Sequence, residues 1–411
     1  MSNLEIFVHT ACAMVVIIVT ARSVGTVMVR LKQPRVVGEM IAGVILGPTF
    51  FSTAFPEIAG YLFKDTQTNI YILGNLGLSL YMFLVGADID LSNVDKSIRK
   101  QAAWLSVVAV IIPFAAGGFC AWTFYEKLCL PGIPLPVFML FTGTAFSIMA
   151  FPMLARILDE QNLIQTRFGS LALLSSSIQD VVTWILLAFV IAVASTGTTT
   201  GGLITLGGAL IFIGIVMIRM KPLFKKIGTQ VQEKGSMTQG QFAVLVVALL
   251  IAAIITDKVG LYSVFGGFIL GLAMPRDPMF QKELKSKMMD ITIVMILPLF
   301  FAFSGLKTNF LQLAGAEMFV PCLVILGLSI ISKYLPILLT MKACGYSWRE
   351  ASAIGGLCNA RGLMELIVAN IGLDYKIIDV NMYSIMILIA VITTLGGMPI
   401  YNASLGKQKM L

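Results

Sequence analysis

Apolar residues run in blocks of about 20 along nearly the whole chain, broken by short clusters of glycine, proline and charge. A helix needs about 20 such residues to cross the roughly 30 Å hydrocarbon core of a bilayer. The blocks predict thirteen spans, near residues 4–29, 34–51, 69–87, 101–125, 134–158, 168–195, 201–220, 240–257, 260–275, 288–306, 317–341, 348–372 and 381–402. Turn signals at Leu130-Pro-Gly-Ile-Pro134 and Gly197-Thr-Thr-Thr-Gly-Gly202 separate neighbours. Blocks 34–51 and 260–275 are short for a full crossing. The first opens at Leu4 with no basic segment before it, which predicts a retained helix and not a cleaved signal peptide. The longest polar stretch, Lys221 to Gln241, predicts a cytoplasmic loop over 221–239. It separates a first half with a linking span, 1–220, from a second half, 240–411, and no soluble domain is expected within the chain.

Composition agrees with an all-α polytopic membrane protein: 58% of residues are hydrophobic and 12% charged, against about 25% charged in soluble domains. The net charge of +8 would suggest nucleic acid if it were not so unevenly placed. Loops after odd-numbered spans, with the adjoining span ends and the tail, hold 21 of the 29 Lys and Arg; loops after even-numbered spans hold Lys64, Lys127, Lys258, Lys307 and Lys376. This bias puts the N-terminus outside and the C-terminus in the cytoplasm of a cell membrane, and a nucleic-acid partner drops out. The six cysteines lack metal-ligand spacing, so neither a zinc site nor a disulfide is expected. His9, near the start of the first span, is expected at the interface.

The halves resemble each other. Gly38 and Gly43 in the second span are spaced like Gly266 and Gly271 in the ninth. At the exits of the third and tenth spans, Met82-Phe-Leu-Val-Gly-Ala-Asp88 matches Phe300-Phe-Ala-Phe-Ser-Gly-Leu306. Both pairs are seven spans apart. An odd shift reverses direction, so the pattern predicts an inverted 6+6 repeat around the seventh span. Sites in such folds lie where helices break near the midplane. Thr142-Gly-Thr-Ala-Phe-Ser-Ile-Met-Ala-Phe-Pro152 in the fifth span and Gly355-Gly-Leu-Cys-Asn-Ala-Arg-Gly362 in the twelfth are the candidate breaks, again seven apart.

Few charges lie inside the spans. Asp180 is deep in the sixth, in a run from Gly169 to about Ser195 without a basic residue. Inserting such a carboxylate costs roughly 2.5 kcal/mol or more, which marks a functional site. Ionised, it ligates a dehydrated monovalent cation; protonated, it carries H⁺. These occupancies exclude one another, which suffices for exchange. Thr144 and Ser147 are candidate cation ligands beside it. Gln179 points about 100° away from Asp180 on a helix and is expected either to brace a broken helix or to satisfy a neighbouring carbonyl. Lys333 lies too deep in the eleventh span to snorkel, and is expected to pair or to compensate a helix end. Arg361 and Glu365 share a helix face and, with Asn359, are expected to compensate charge at the twelfth-span break. Arg22 is expected to reach carbonyls or the cytoplasmic side, Glu39 to be interfacial, and Asp88 and Asp90 to lie in an exit loop.

Gln33-Pro-Arg-Val-Val-Gly-Glu-Met-Ile-Ala-Gly-Val-Ile-Leu-Gly-Pro48, Leu154-Ala-Arg-Ile-Leu158 and Ser177-Ile-Gln-Asp180 resemble motifs of the cation:proton antiporter-2 family. Leu297-Pro-Leu-Phe-Phe-Ala-Phe-Ser-Gly-Leu-Lys307 and Asn359-Ala-Arg-Gly-Leu-Met-Glu-Leu-Ile367 resemble its plant-type cation/H⁺ exchanger branch. The resemblance covers essentially the whole chain. It implies the sodium/proton antiporter fold: a core with two crossed broken helices that moves against a dimerising scaffold. It also implies that Asp180 is the transport carboxylate, with Lys333 at the basic position facing it. Electrogenic members carry Asp-Asp at the motif and many electroneutral ones Asn-Asp. This chain has Gln179-Asp180, as in glutathione-gated potassium efflux systems, which favours K⁺ and one-for-one exchange.

The expected function is secondary antiport of K⁺ or Na⁺ against H⁺, by a homodimer, with no cofactor and no enzymatic reaction. No Gly-x-x-x-x-Gly-Lys-Ser/Thr run supports ATP-driven transport. The alternatives are a cation channel, a symporter of an organic anion on a related fold, and a potassium efflux protein. Many members of the family carry a cytoplasmic regulatory domain after the last span; this sequence stops soon after it, so such regulation would rest on a missing domain.

Overall fold

The computed structural model describes residues 2–89, 96–160, 166–196 and 199–405. Asp90 and the Gly197-Thr198 part of the turn signal lie outside the described residues. Each of the thirteen expected spans is helical, and among the described residues ten helices are long and apolar enough to cross a membrane. Two shorter apolar helices, Leu135–Ser147 and Ser263–Leu272, fall in the fifth and ninth spans. The short second span is a helix over Arg35–Leu46.

One expectation fails at the stretch between the halves. Residues 221–239 are not a loop, since Lys221–Lys234 form a helix that continues the seventh span through a π-helical turn, Val216–Met220. Phe224, Gly228 and Val231 make its buried stripe. That spacing puts all three on one face, although polar residues outnumber them. The tenth span begins in the same way. A polar helix, Pro278–Ile291, is capped by Asp277 and buries Phe280, Leu284 and Met288. It reaches the apolar helix Leu297–Leu306 through a second π-helical turn, Thr292–Ile296. Many of the basic residues that set the charge bias therefore sit on helices, not in loops.

The helices pack in two groups. The first three spans and the eighth to tenth form one; the fourth to sixth and the eleventh to thirteenth form the other. Within the first group a matched pair of contacts follows the inverted repeat. The second span packs on the tenth, and the third on the ninth. A Cβ at Gly43 would stand 2.2 Å from the Phe301 carbonyl oxygen, and one at Gly271 would stand 2.2 Å from the Phe83 carbonyl oxygen. Phe83 and Phe301 occupy matching positions in the repeated exit motif, so the two contacts interchange under the seven-span shift. Only glycine lets backbones approach this closely, and small residues are the usual means of helix contact in membranes.

The second group is centred on the two breaks. The fifth span consists of Leu135–Ser147 and Phe151–Glu160, the twelfth of Trp348–Cys358 and Gly362–Asp374. Pro152 falls in the first turn of its half-helix, where a missing N–H costs nothing. Gly362 opens the other at φ +43°, a conformation that favours glycine. The interrupted segments meet: the Ala150 amide donates to the Ala360 carbonyl at 3.3 Å. These are the two crossed broken helices that the sequence predicts.

Candidate functional site

A helix that stops inside a membrane leaves carbonyls at one end and amides at the other without partners. Here basic side chains take up the carbonyls. Where Leu135–Ser147 ends, Lys333 Nζ donates to the Ser147 carbonyl at 2.5 Å and Arg361 Nη1 to the Ala145 carbonyl at 3.2 Å. Both cations also offset the negative end of the helix dipole. Arg361 Nη2 reaches the Ser329 carbonyl at 2.8 Å, which ties the fifth, eleventh and twelfth spans together. Glu365 lies 3.6 Å from Arg361 and both are fully buried. Arg361 and Glu365 thus meet at the twelfth-span break as expected, and Asn359 ends the first half-helix through its backbone amide, its buried side-chain Oδ1 accepting no hydrogen bond.

Asp180 is buried, and neither carboxylate oxygen accepts a hydrogen bond. The amide of Phe151, first residue of the second half-helix, faces the carboxylate without closing to hydrogen-bond geometry. The positive end of a helix dipole is therefore directed at the acid. Lys333 is near enough to act on Asp180 electrostatically, yet no ion pair joins them among the described residues. The lysine instead donates to Gln179 Oε1 at 3.1 Å. Gln179 Nε2 in turn donates to Ser175 Oγ at 3.0 Å, and Ser175 Oγ lies 3.1 Å from Ser106 Oγ. A buried polar chain thus runs from the fourth span through the sixth to the eleventh. It fixes the lysine and leaves the neighbouring carboxylate open.

Thr144 and Ser147 are both buried at the break, but their hydroxyls are engaged: Thr144 Oγ1 donates to the Leu140 carbonyl, and Ser147 Oγ to those of Val110 and Gly143. Ser147 contributes its backbone oxygen to the lysine. Thr142, which opens the fifth-span break motif, and Thr183, which no motif singles out, are buried with hydroxyls that have no partner. Thr183 is three residues after Asp180, hence on the same helix face, and that spacing is readable from sequence. Elsewhere, Glu39 is buried under the first span, 3.7 Å from Arg22. Arg22 Nη2 donates to the Ile293 carbonyl in the π-helical turn of the tenth span. Asp88 ends its helix paired with Lys285 at 2.8 Å. His9 lies against Tyr61, ring centroids 4.3 Å apart.

Polar ties between the two packing groups gather at one end of the tenth span. Asn370 Nδ2 donates to Ser304 Oγ at 2.7 Å, and Tyr383 Oη to the Ser304 carbonyl at 2.8 Å. The Asn309 amide donates to Ser384 Oγ at 3.1 Å, and Lys307 pairs with Asp374 at 3.1 Å.

A profile of the family described as sodium/hydrogen exchanger, transmembrane, matches residues 15–400. The chain is 35% identical over 386 residues to the Na⁺/H⁺ antiporter NhaS4 of Synechocystis, covering 93% of each sequence. It is 34% identical to cation/H⁺ antiporter 18 of Arabidopsis thaliana, covering 95% of this chain and 48% of that protein. With K⁺/H⁺ antiporter 1 of Saccharomyces cerevisiae it shares 30% identity, over 96% of this chain and 46% of that one. It thus spans nearly all of the cyanobacterial relative and about half of the plant and yeast ones. Among solved structures, the sodium proton antiporter MjNhaP1 of Methanocaldococcus jannaschii superposes with a TM-score of 0.68, at 17% identity and over 97% of both chains. At that identity the match establishes the fold.

Proposed function

Because the chain belongs to the sodium/hydrogen exchanger family, we propose that it exchanges a monovalent cation for H⁺ by alternating access, with Asp180 as the shared site. The observation that carries this is a buried carboxylate with both oxygens free of hydrogen bonds, beside a lysine held by other partners. A cation and a proton compete for those oxygens, and neither is transported while the other is bound. Thr183, on the same face, is the hydroxyl best placed by spacing to join the cation. Thr144 and Ser147 donate their protons to carbonyls and keep oxygen lone pairs with which to join it. Lys333, Gln179, Arg361, Glu365 and Asn359 position the two breaks and hold the charge balance while the carboxylate changes state.

Exposing Asp180 alternately to the two sides requires one packing group to slide against the other. The ties from Ser304, Lys307 and Asn309 to the twelfth and thirteenth spans must then break and re-form. The charge bias places these ties outside, with the N-terminus outside, the C-terminus in the cytoplasm and the protein in a cell membrane. A homodimer would bury the exposed apolar face of the first span, for example Val15 and Val19. No cofactor is required, because the cation and H⁺ are the substrates.

With Gln179 in place of a second acid, one carboxylate serves each turnover, and exchange is one for one. K⁺ is expected to be at least as good a substrate as Na⁺, since a site with one carboxylate favours the more easily dehydrated ion. Proteoliposomes with opposed K⁺ or Na⁺ gradients and a clamped membrane potential test this. The expected result is H⁺ movement that follows either cation gradient and is indifferent to voltage. Cation flux without H⁺ movement would identify a channel, and a strong Na⁺ preference would overturn the selectivity.

A further inference from the structure

Outside the Asp180 site, an apolar slot and a basic pocket are lined by successive stretches of the seventh and ninth spans. The slot is a cavity of about 630 Å³ between the seventh and eighth spans, walled by apolar side chains such as Ile211, Ile215, Val247 and Ile251. Along the seventh span it runs from Gly208 to Met220. At about 1.5 Å per residue this is about 18 Å, more than the roughly 15 Å depth of one leaflet. Ile211 and Val247 are more than half exposed, so the slot opens sideways toward lipid.

Where the slot ends, at Met220 and Leu270, a second cavity of about 450 Å³ begins at Lys221 and Ala273 on the same two elements. Lys221, Lys225 and Arg276 line it, with Asp277 as the carboxylate. Arg276 is committed to the Gly86, Ala87 and Leu272 carbonyls. Asp277 caps the helix Pro278–Ile291 through the Met279 and Phe280 amides. Lys221 and Lys225 form no ion pair among the described residues.

We propose that this composite groove binds one anionic phospholipid, with an acyl chain along the slot and the phosphate at Lys221 and Lys225. Basic pockets between spans at the membrane face select anionic head groups. The acyl slot alone would not distinguish one lipid from another, so the lysines supply the selectivity. A second copy of the chain fits the groove less well. A two-fold contact through it would bring four lysines to one membrane level, like charge against like. The site bridges the π-helical linker and the ninth span, so the lipid clamps the connection between the two halves of the repeat.

The test uses the intact chain in mild detergent, with native mass spectrometry at equal concentrations of dioleoyl-phosphatidylglycerol and dioleoyl-phosphatidylcholine. The wild type is expected to retain the anionic lipid on the order of tenfold better, from two lysines near the head group. Lys221→Gln with Lys225→Gln should bring the two lipids to parity, and Val247→Trp, which fills the slot, should weaken both. Thermal melts without added lipid establish that the variants fold. Parity in the wild type, or an undiminished preference in the double variant, would overturn the proposal. So would a Val247→Trp variant that loses self-association while retaining lipid, since that outcome assigns the slot to a second copy.

Discussion

Asp180→Asn is expected to reduce cation-driven H⁺ movement to the level of protein-free liposomes while leaving thermal stability unchanged or raised. The amide keeps the shape of the side chain but can neither carry a proton nor neutralise a cation. It is also cheaper to bury than a carboxylate. The acid has no hydrogen bond to lose in the structure, so no partner is orphaned by the change. Exchange and melting are measured on the same purified protein. Exchange at the wild-type rate contradicts the assignment, and a large fall in melting temperature would give Asp180 a structural role instead.

The largest effect on stability is expected at Arg361. Its guanidinium is fully buried, holds the Ala145 and Ser329 carbonyls, and stands beside the buried Glu365. Arg361→Ala leaves a carboxylate without its counter-charge and two carbonyls without a donor. Removing one partner of a buried pair costs about 3–5 kcal/mol. Arg361→Lys keeps the charge but cannot reach two carbonyls with one planar fork, so rescue should be partial. Unfolding in denaturant compares the three proteins. A change within about 0.5 kcal/mol, as for an ordinary surface substitution, would show that the break is held by other contacts.

The fold was largely legible because its signals are local or repetitive. Apolar blocks mark every span, and the Gly43 and Gly271 spacing marks backbones that the structure brings into contact. The motifs at 142–152 and 355–362 mark the two breaks that cross at Ala150 and Ala360. The helix at Lys221–Lys234 was missed because three buried positions among many polar ones were outweighed by composition. The burial of Glu39 is not readable from its own helix, because it comes from the first span.

The site was legible in its charges and less so in its pairings. Asp180, Lys333, Arg361 and Glu365 stand out as ionisable residues in apolar runs. Which atom meets which depends on rotamers across spans more than a hundred residues apart in sequence. Lys333 acts on Asp180 electrostatically, but its hydrogen bonds go to Gln179 and Ser147, a pairing the sequence does not show. The hydroxyls differ in a way the sequence does not show. Thr144 and Ser147 flank the break in sequence, but a helical threonine or serine readily bonds the carbonyl one turn back. The hydroxyls of Thr142 and Thr183 remain without a partner, and only the spacing of Thr183 from Asp180 sets it apart in the sequence.

The central claim is that one carboxylate alternates between the cation and the proton. Its most direct test is the apparent KM for K⁺, and for Na⁺, measured in proteoliposomes across the pH range in which the protein is active. If both ligands compete for Asp180, apparent KM rises as pH falls, because a growing share of carboxylates is protonated. The maximal rate at saturating cation stays nearly constant over the same limb. At high pH the rate falls because the site lacks a proton to return, which gives a bell-shaped profile at fixed cation. An apparent KM that does not change with pH would contradict competition at a single site.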